Sequence, residues 1–188
     1  MITIRQETTG DVGAREALLD RAFGPARFEK TCERVREGRM PAKGLAFVAL
    51  RGRKVVGTVR LWNVAAGPGR PALVLGPLAV DADLRSLGIG AMLMKHALAA
   101  AAEIGHGAVL LVGDAAYYER FGFRRDLTEG LWMPGPVERE RFLGLELVRG
   151  ALSDAFGLVQ PTGERMPRPD IATLVAAFSS ESTMRKAA

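Results

Sequence analysis

A chain of 188 residues with Cys32 as its only cysteine can form no internal disulfide, and two histidines beside that thiol make a structural zinc site a poor reading. No apolar run approaches the roughly 20 residues of a membrane helix, and the opening MITIRQETTGDVGAREALL lacks the apolar core and cleavage pattern of a secretory signal, so a cytoplasmic protein without membrane attachment is expected. The net charge of +5 welcomes anions, but the basic residues are dispersed, which favours a solvated surface over a nucleic-acid interface.

In chain order, residues 2–5 alternate as a short strand. Asp11 is placed to cap a helix reaching Phe23, with Ala14, Leu18 and Ala22 on one stripe and Gly24-Pro25 as its stop. A second, more polar helix is predicted over 26–36, ended by Gly38. Strands follow over 45–50 and 54–64, joined by a tight turn at Arg51-Gly52-Arg53, with another over 72–80 after a Gly/Pro loop. The clearest helical pattern runs from Leu87 to about Ile104. Gly105-His106-Gly107 ends it, and the continuously apolar 108–112 reads as a buried strand. Asp114 opens a short helix carrying Tyr117 and Tyr118, Gly122 breaks it, and further strands are predicted from Phe123 and over 141–148. The order β-α-α-β-β-β-α-β-α-β-β describes an α/β (α+β) mixed sheet with helices on its faces, a domain over 1–151. The extension 152–188 differs in character. Pro161, Pro167 and Pro169 punctuate a loop, and Ile171, Leu174, Val175 and Phe178 share one face of an amphipathic helix before a frayed end. Docking on the domain is the favoured reading of that helix; covering a second copy in a homodimer is the alternative.

Two features near the middle carry chemistry. The strand over 72–80 contains Gly76-Pro77, and a proline cannot donate to a sheet ladder, so a bulge or an edge is expected there. Beyond it, Leu78, Ala79 and Val80 lack a neighbouring strand on one side, leaving an edge on which an extended ligand with amides can pair; a plain kink is the alternative. The turn Arg85-Ser86-Leu87-Gly88-Ile89-Gly90 then opens the long helix. Helix N-termini hold unpaired N–H groups and partial positive charge, which suits a phosphate. Glycine at 88 and 90 removes Cβ atoms that would keep a phosphate off the backbone, and Arg85 adds a cation. Leu93 stands where the third glycine of G-x-G-x-x-G belongs, and no P-loop spacing is present.

The run Val80-Asp81 … Arg85-x-x-Gly88-x-Gly90 resembles the acetyl-CoA pyrophosphate loop of the GCN5-related N-acetyltransferases, [R/Q]-x-x-G-x-[G/A]. Tyr117-Tyr118-Glu119-Arg120-Phe121-Gly122-Phe123 resembles that family's Y-E-[K/R]-x-G-F segment, and the expected helix and strand lie between the two. Within the family, GDAAYYERFGF with Pro134–Pro136 and FLGLEL is similar to bacterial acetyltransferases of the YhbS type.

The resemblance implies a mostly antiparallel central sheet whose fourth strand is splayed and bulged. It also implies an acetyl-CoA-dependent transfer to a primary amine, of a small molecule or a peptide, by direct attack in a ternary complex without a metal. Leu78 and Val80 would offer backbone groups to the pantetheine amides, with an N–H among Leu78, Ala79 and Val80 for the oxyanion. The N–H groups of Arg85, Ser86, Leu87, Gly88, Ile89, Gly90 and Ala91 would hold the pyrophosphate. Tyr118 would protonate the departing thiolate, with Tyr117 as its competitor or as a cofactor contact. Two departures stand out. Gly113-Asp114 occupies the place of an asparagine common in the family, and ALVLGPLAV has no ionisable residue where many members keep a glutamate base. A water, a residue of the first two helices such as Glu29 or Glu33, or no dedicated group at all remains for deprotonating the amine, and no base is assigned. A non-catalytic acyl-CoA-binding or sensory module is the main alternative function, and an RNA-associated protein a distant one. His96 and Cys32 are read as packing residues. Acceptor choice is expected from the first two helices, 11–23 and 26–36, and the loops around 65–70 and 127–136, with Trp132 and Met133 as a pocket wall or, equally, as core or lid residues.

Overall fold

The computed structural model describes residues 1–167. Its spine is β3 (Lys54–Ala66), whose valines, threonine, leucine and tryptophan suit a pleated, buried surface. Around it the sheet runs β1 (Ile2–Gln6), β2 (Ala46–Arg51), β3, β4 (Pro71–Leu75), β6 (Ala108–Val112), β8 (Phe142–Glu146). Every neighbouring pair along this path is antiparallel except β4 with β6. The short β5 (Ala79–Val80) also pairs with β3, and β9 (Gly157–Pro161) pairs with β3 and with β7 (Leu131–Trp132).

Side-chain alternation sends the two faces to different helices. Phe47 and Ala49 of β2 meet Leu93, Met94 and Ala97 of α2 (Ile89–Glu103). Val48 and Leu50 meet Leu18 and Leu19 of α1 (Val12–Phe23) on the opposite face. Farther along, Val64, Val74 and Leu110 are covered by Val35, Leu131, Phe142 and Val159, residues from irregular segments and edge strands. Each fully buried Leu or Phe contributes roughly 1.5–3 kcal/mol by leaving water, and these layers hold the strand ends beneath the site.

The mixed, mostly antiparallel sheet with α1 and α2 on its two faces agrees with the expected fold class. Several elements differ from expectation. The helix predicted over 26–36 is two 3₁₀ turns, Pro25–Glu29 and Thr31–Val35, divided by Lys30 in extended backbone. Tertiary contacts override local propensity there: the Thr31 hydroxyl donates to the Pro136 carbonyl and Arg34 Nη1 to that of Pro134 at 2.8 Å. Residues from Phe123 form no strand. Phe123 fills the core, and only the Arg124–Gly144 bridge joins the sheet. The strand expected over 72–80 is interrupted into β4 and β5 at Gly76-Pro77, the place of the expected bulge or edge. Gly157–Pro161, read as part of a proline-punctuated loop, is β9, so the sheet draws on residues beyond 151; Pro161 sits at its last position, where a missing N–H interrupts least. The helix expected over 171–178 lies outside the described residues.

Candidate active site

The break between β4 and β5 opens the sheet. Gly76 and Pro77 are joined by a cis peptide. Gly76 is fixed at both ends: its N–H donates to the Arg60 carbonyl at 2.8 Å, and its carbonyl accepts from Trp62 Nε1 at 2.6 Å. β6 pairs only with Leu73 and Val74 of β4, so β5 has β3 on one side and no strand on the other. The Asp81 N–H donates to the Val56 carbonyl at 2.8 Å, across the same ladder. Alternation then turns the backbone groups of Val80, and of Leu78 two residues earlier, away from β3 into the gap. Ala79, opposite Thr58, is turned toward β3 and buried, so it offers the gap no backbone group.

At the end of β5 the chain makes the turn into α2. Asp81 caps the 3₁₀ turn Ala82–Leu84 through the Asp83 N–H and pairs with Lys54 Nζ at 3.0 Å. Ser86 (φ 69°) and Gly88 (φ 74°) both adopt left-handed backbone. The bond from Met92 N–H to the Gly88 carbonyl, 2.9 Å, is the one that begins α2, so the N–H groups of Ile89, Gly90 and Ala91 have no partner within the helix. A cavity of about 430 Å³ lies before them, bounded also by Val80, Arg85, Ser86, Tyr117 and Arg120. Leu87 is exposed and does not line it. Arg120 was not singled out from the sequence; its guanidinium lies 4.0 Å over the Tyr117 ring and adds a second cation to Arg85.

A second cavity of about 350 Å³ lies in the gap between the broken strand and β6. Its walls include Gly76, Pro77, Leu78 and Tyr118, with Cys32 and Arg36 across from them. Tyr117 borders both cavities, and the two are taken together as one candidate cleft. The two tyrosines belong to α3 (Ala115–Tyr118), capped by the Asp114 carboxylate, which accepts from the Ala116 N–H at 3.2 Å. They meet edge to face at 4.9 Å and serve different ends of the cleft. The Tyr117 hydroxyl lies beside Gly90, 2.9 Å from where a Cβ would stand. The Tyr118 ring covers Gly113, its Cδ2 at 2.9 Å from a Cβ position and its Cε2 nearer still. That explains the glycine at 113: the tyrosine ring fills the space a side chain would need. Burial, reinforced by the neighbouring Tyr117, pushes the Tyr118 hydroxyl up to about 12. Burial likewise pushes the Cys32 thiol up, so it stands in the cleft as a thiol rather than a thiolate.

The remaining expectations distribute simply. His96 is on α2 and packs edge-on against Phe47 at 4.7 Å. Met133 is in the core and Trp132 meets Phe156 edge to face, and neither lines either cavity. Glu33 is bound to Arg36, and Glu29 lines a separate hollow beside Lys30 and Cys32. Among the described residues no three His, Cys, Asp or Glu side chains gather as metal ligands, and no helix is long and apolar enough to cross a membrane.

Comparison with known proteins agrees with this geometry. The family description "Acetyltransferase (GNAT) domain" matches residues 42–125, which contain the broken strand, the glycine turn and α3. The Escherichia coli (strain K12) protein YhbS, described as an uncharacterized N-acetyltransferase, is 32% identical over 158 residues, 84% of this chain and 94% of that protein. The crystal structure of Escherichia coli YhbS in complex with CoA superimposes with a TM-score of 0.73 at 31% identity, covering 85% of this chain and 89% of that one. A Brucella melitensis GNAT-family acetyltransferase in complex with acetyl-CoA shares the fold, with a TM-score of 0.56 at 22% identity, covering 90% and 94% of the two chains.

Proposed function

The chain belongs to the GNAT family of N-acetyltransferases, and from that premise we propose that it moves the acetyl group of acetyl-CoA directly to a primary amine, on a small molecule or a peptide, within a ternary complex. The activity is assigned to 1–151, with the extension 152–188 supplying β9 to the sheet. The observation that carries this reading is convergence along one cleft: unpaired helix N–H groups at Ile89–Ala91, an open backbone edge at Leu78 and Val80, and Tyr118 at the far end.

In this mechanism the amides at the start of α2, with Arg85 and Arg120, neutralise the diphosphate. The gap-facing groups of Leu78 and Val80 pair with the amide-bearing arm as a strand would, aligning the thioester beside the break. An N–H there also stabilises the oxyanion formed when the amine nitrogen bonds to the thioester carbon. As the C–S bond breaks, Tyr118 gives its hydroxyl proton to the leaving sulfur and later recovers one from solvent. Burial raises the Tyr118 pKa, so its hydroxyl still carries the proton when the thiolate leaves. No side chain is assigned as base; the amine enters neutral, and the proton that its nitrogen sheds after bonding to the thioester carbon passes to water.

A thiol-release assay with acetyl-CoA and a panel of primary amines tests the reading. Replacing Tyr118 by Phe should lower kcat about 10²-fold or more while the acetyl-CoA dissociation constant stays within about twofold. An unchanged kcat removes Tyr118 from the acid role. Tight acetyl-CoA binding with no amine consumed favours the sensory module instead.

A further inference from the structure

Arg36 follows the 3₁₀ turn Thr31–Val35, where fully buried Val35 anchors the backbone in the core. Its side chain is 9% exposed, yet only Nε is engaged, donating to Glu33 Oε2 at 2.6 Å. Nη1 and Nη2 have no hydrogen-bond partner among the described residues. Since no fully enclosed side-chain nitrogen is left unpaired there, these two groups open onto cavity space. Arg36 lines both the 350 Å³ cavity that holds Tyr118 and an adjoining cavity of about 670 Å³ on the side of Glu7, Arg60 and Trp62. Nη1 lies 3.6 Å from where a Cβ on Gly76 would stand, so the guanidinium sits over the break in the strand.

A buried guanidinium with two idle donors costs desolvation energy that a planar anion would offset. Glu33 already takes Nε, and the outer cavity carries Glu7, Glu16, Glu33 and Glu37, but no carboxylate among the described residues reaches Nη1 or Nη2. The inner cavity carries Arg27, Lys30, Arg36 and Arg141 against a single carboxylate, Asp114, which is committed to capping α3. Arg27 is neutralised by Glu16 and Asp20, and Arg141 faces Glu138 at 3.6 Å, but Lys30 has no carboxylate partner among the described residues and rests over the Phe23 ring. The diphosphate cannot be the missing anion, because its cradle is at the other end of the cleft, beyond Tyr117, and the thioester end of the arm is uncharged.

We infer that Arg36 is the anchor for a carboxylate on the acceptor, which is then a small amine of amino-acid type rather than a polyamine or a basic peptide. The inference rests on the acetyltransferase reading and adds the acceptor class to it. A carboxylate forked onto Nη1 and Nη2 at the mouth of the inner cavity would hold the amine of the same molecule over the strand break. An acceptor whose only charge is positive would find no free carboxylate in the inner cavity to receive it.

The test measures acetyl transfer from acetyl-CoA to the common L-amino acids and to their carboxamides, with acetyl-CoA affinity determined by calorimetry for each variant. At least one acid should exceed its own amide in kcat/KM by about 10- to 100-fold, the range of a charge-assisted pair. Arg36→Gln should abolish that preference, mainly by raising the acceptor KM, and leave acetyl-CoA affinity unchanged. Arg36→Lys should restore part of the preference, which a purely structural role for Arg36 would not produce. If Arg36→Gln fails to fold, the Lys variant and the wild-type acid-to-amide ratio decide. Amides used as well as acids, polyamines preferred, an Arg36→Gln enzyme that still discriminates, or transfer to none of the acids each overturns the assignment. Failure of the wild-type protein to bind acetyl-CoA overturns the acetyltransferase reading instead.

Discussion

Replacing Gly113 by Ala separates the placement of Tyr118 from its chemistry. Gly113 has no positive φ, so its backbone accepts alanine, and the whole penalty falls on the Tyr118 ring. Ordinary contact begins near 3.4 Å, whereas Tyr118 Cδ2 stands 2.9 Å from the new methyl and Cζ 3.2 Å. Cδ2 must retreat by about half an ångström and Cε2, closer than either, by roughly 1 Å. A displacement of that size at a reacting group costs about 10²-fold in rate, so kcat for thiol release should fall about 10²-fold. The glycine turn is untouched, so the acetyl-CoA dissociation constant should move less than about threefold. Overpacking of this kind costs about 1–3 kcal/mol, seen as a lowering of Tm by roughly 2–12 °C. The decisive comparison is a double-mutant cycle. In a Tyr118→Phe background the hydroxyl is already gone, and Gly113→Ala should slow turnover little further. Full activity in Gly113→Ala, or the same 10²-fold loss in both backgrounds, would refute the idea that position 113 acts by seating Tyr118.

Two further outcomes follow from the same geometry. An alanine at position 88 meets no neighbour within 4 Å but is forced to φ 74°, at about 1–2 kcal/mol, so acetyl-CoA affinity by calorimetry should fall about tenfold, while Asn, which tolerates left-handed backbone, should lose less; equal, unaltered affinities would remove this turn from the site. Because an acid must carry its proton, a Tyr118 hydroxyl raised to about 12 places its alkaline limb high: kcat/KM should climb as the acceptor amine deprotonates and stay level to about pH 10, and a decline of the wild-type rate below that pH, absent in Tyr118→Phe, would count against it.

What the sequence disclosed was chiefly backbone chemistry. Gly88 at left-handed φ, the unpaired N–H groups that follow, and a proline inside an apolar strand each mark a main-chain arrangement directly, because glycine alone takes positive φ freely and proline fixes φ and removes a donor. The period of α2 and the alternation of β2 and β3 were legible for the same local reason. Side-chain assembly was not. Arg36 and Tyr118 lie far apart in the chain and share a cavity only because Val35 packs under the sheet while Thr31 and Arg34 bond to the loop at Pro134–Pro136. The pattern over 26–36 suggested a helix, and those long-range bonds replaced it with two 3₁₀ turns. β9 was hidden by Pro161, whose position at the strand end decides whether it interrupts a ladder.

The break at Gly76–Leu78 accounts for both halves of the site. An unbroken strand from Pro71 to Val80 would continue its pairing with β6, consume the backbone groups of Leu78 and Val80, and close the cavity that reaches Tyr118. The break also leaves Gly76 without a side chain where the Arg36 guanidinium comes near. Trp62 and Arg60, which hold Gly76 from the β3 side, line the outer cavity that Arg36 shares. Under the proposed function, donor and acceptor would approach one interruption from opposite sides: one along the open edge of β5, the other past Arg36. Alignment of the two is then set by how rigidly β3 holds Gly76, and a change at Trp62 that removes its indole N–H should disturb both substrates at once, whereas changes at Gly88 or at Arg36 should each disturb only one.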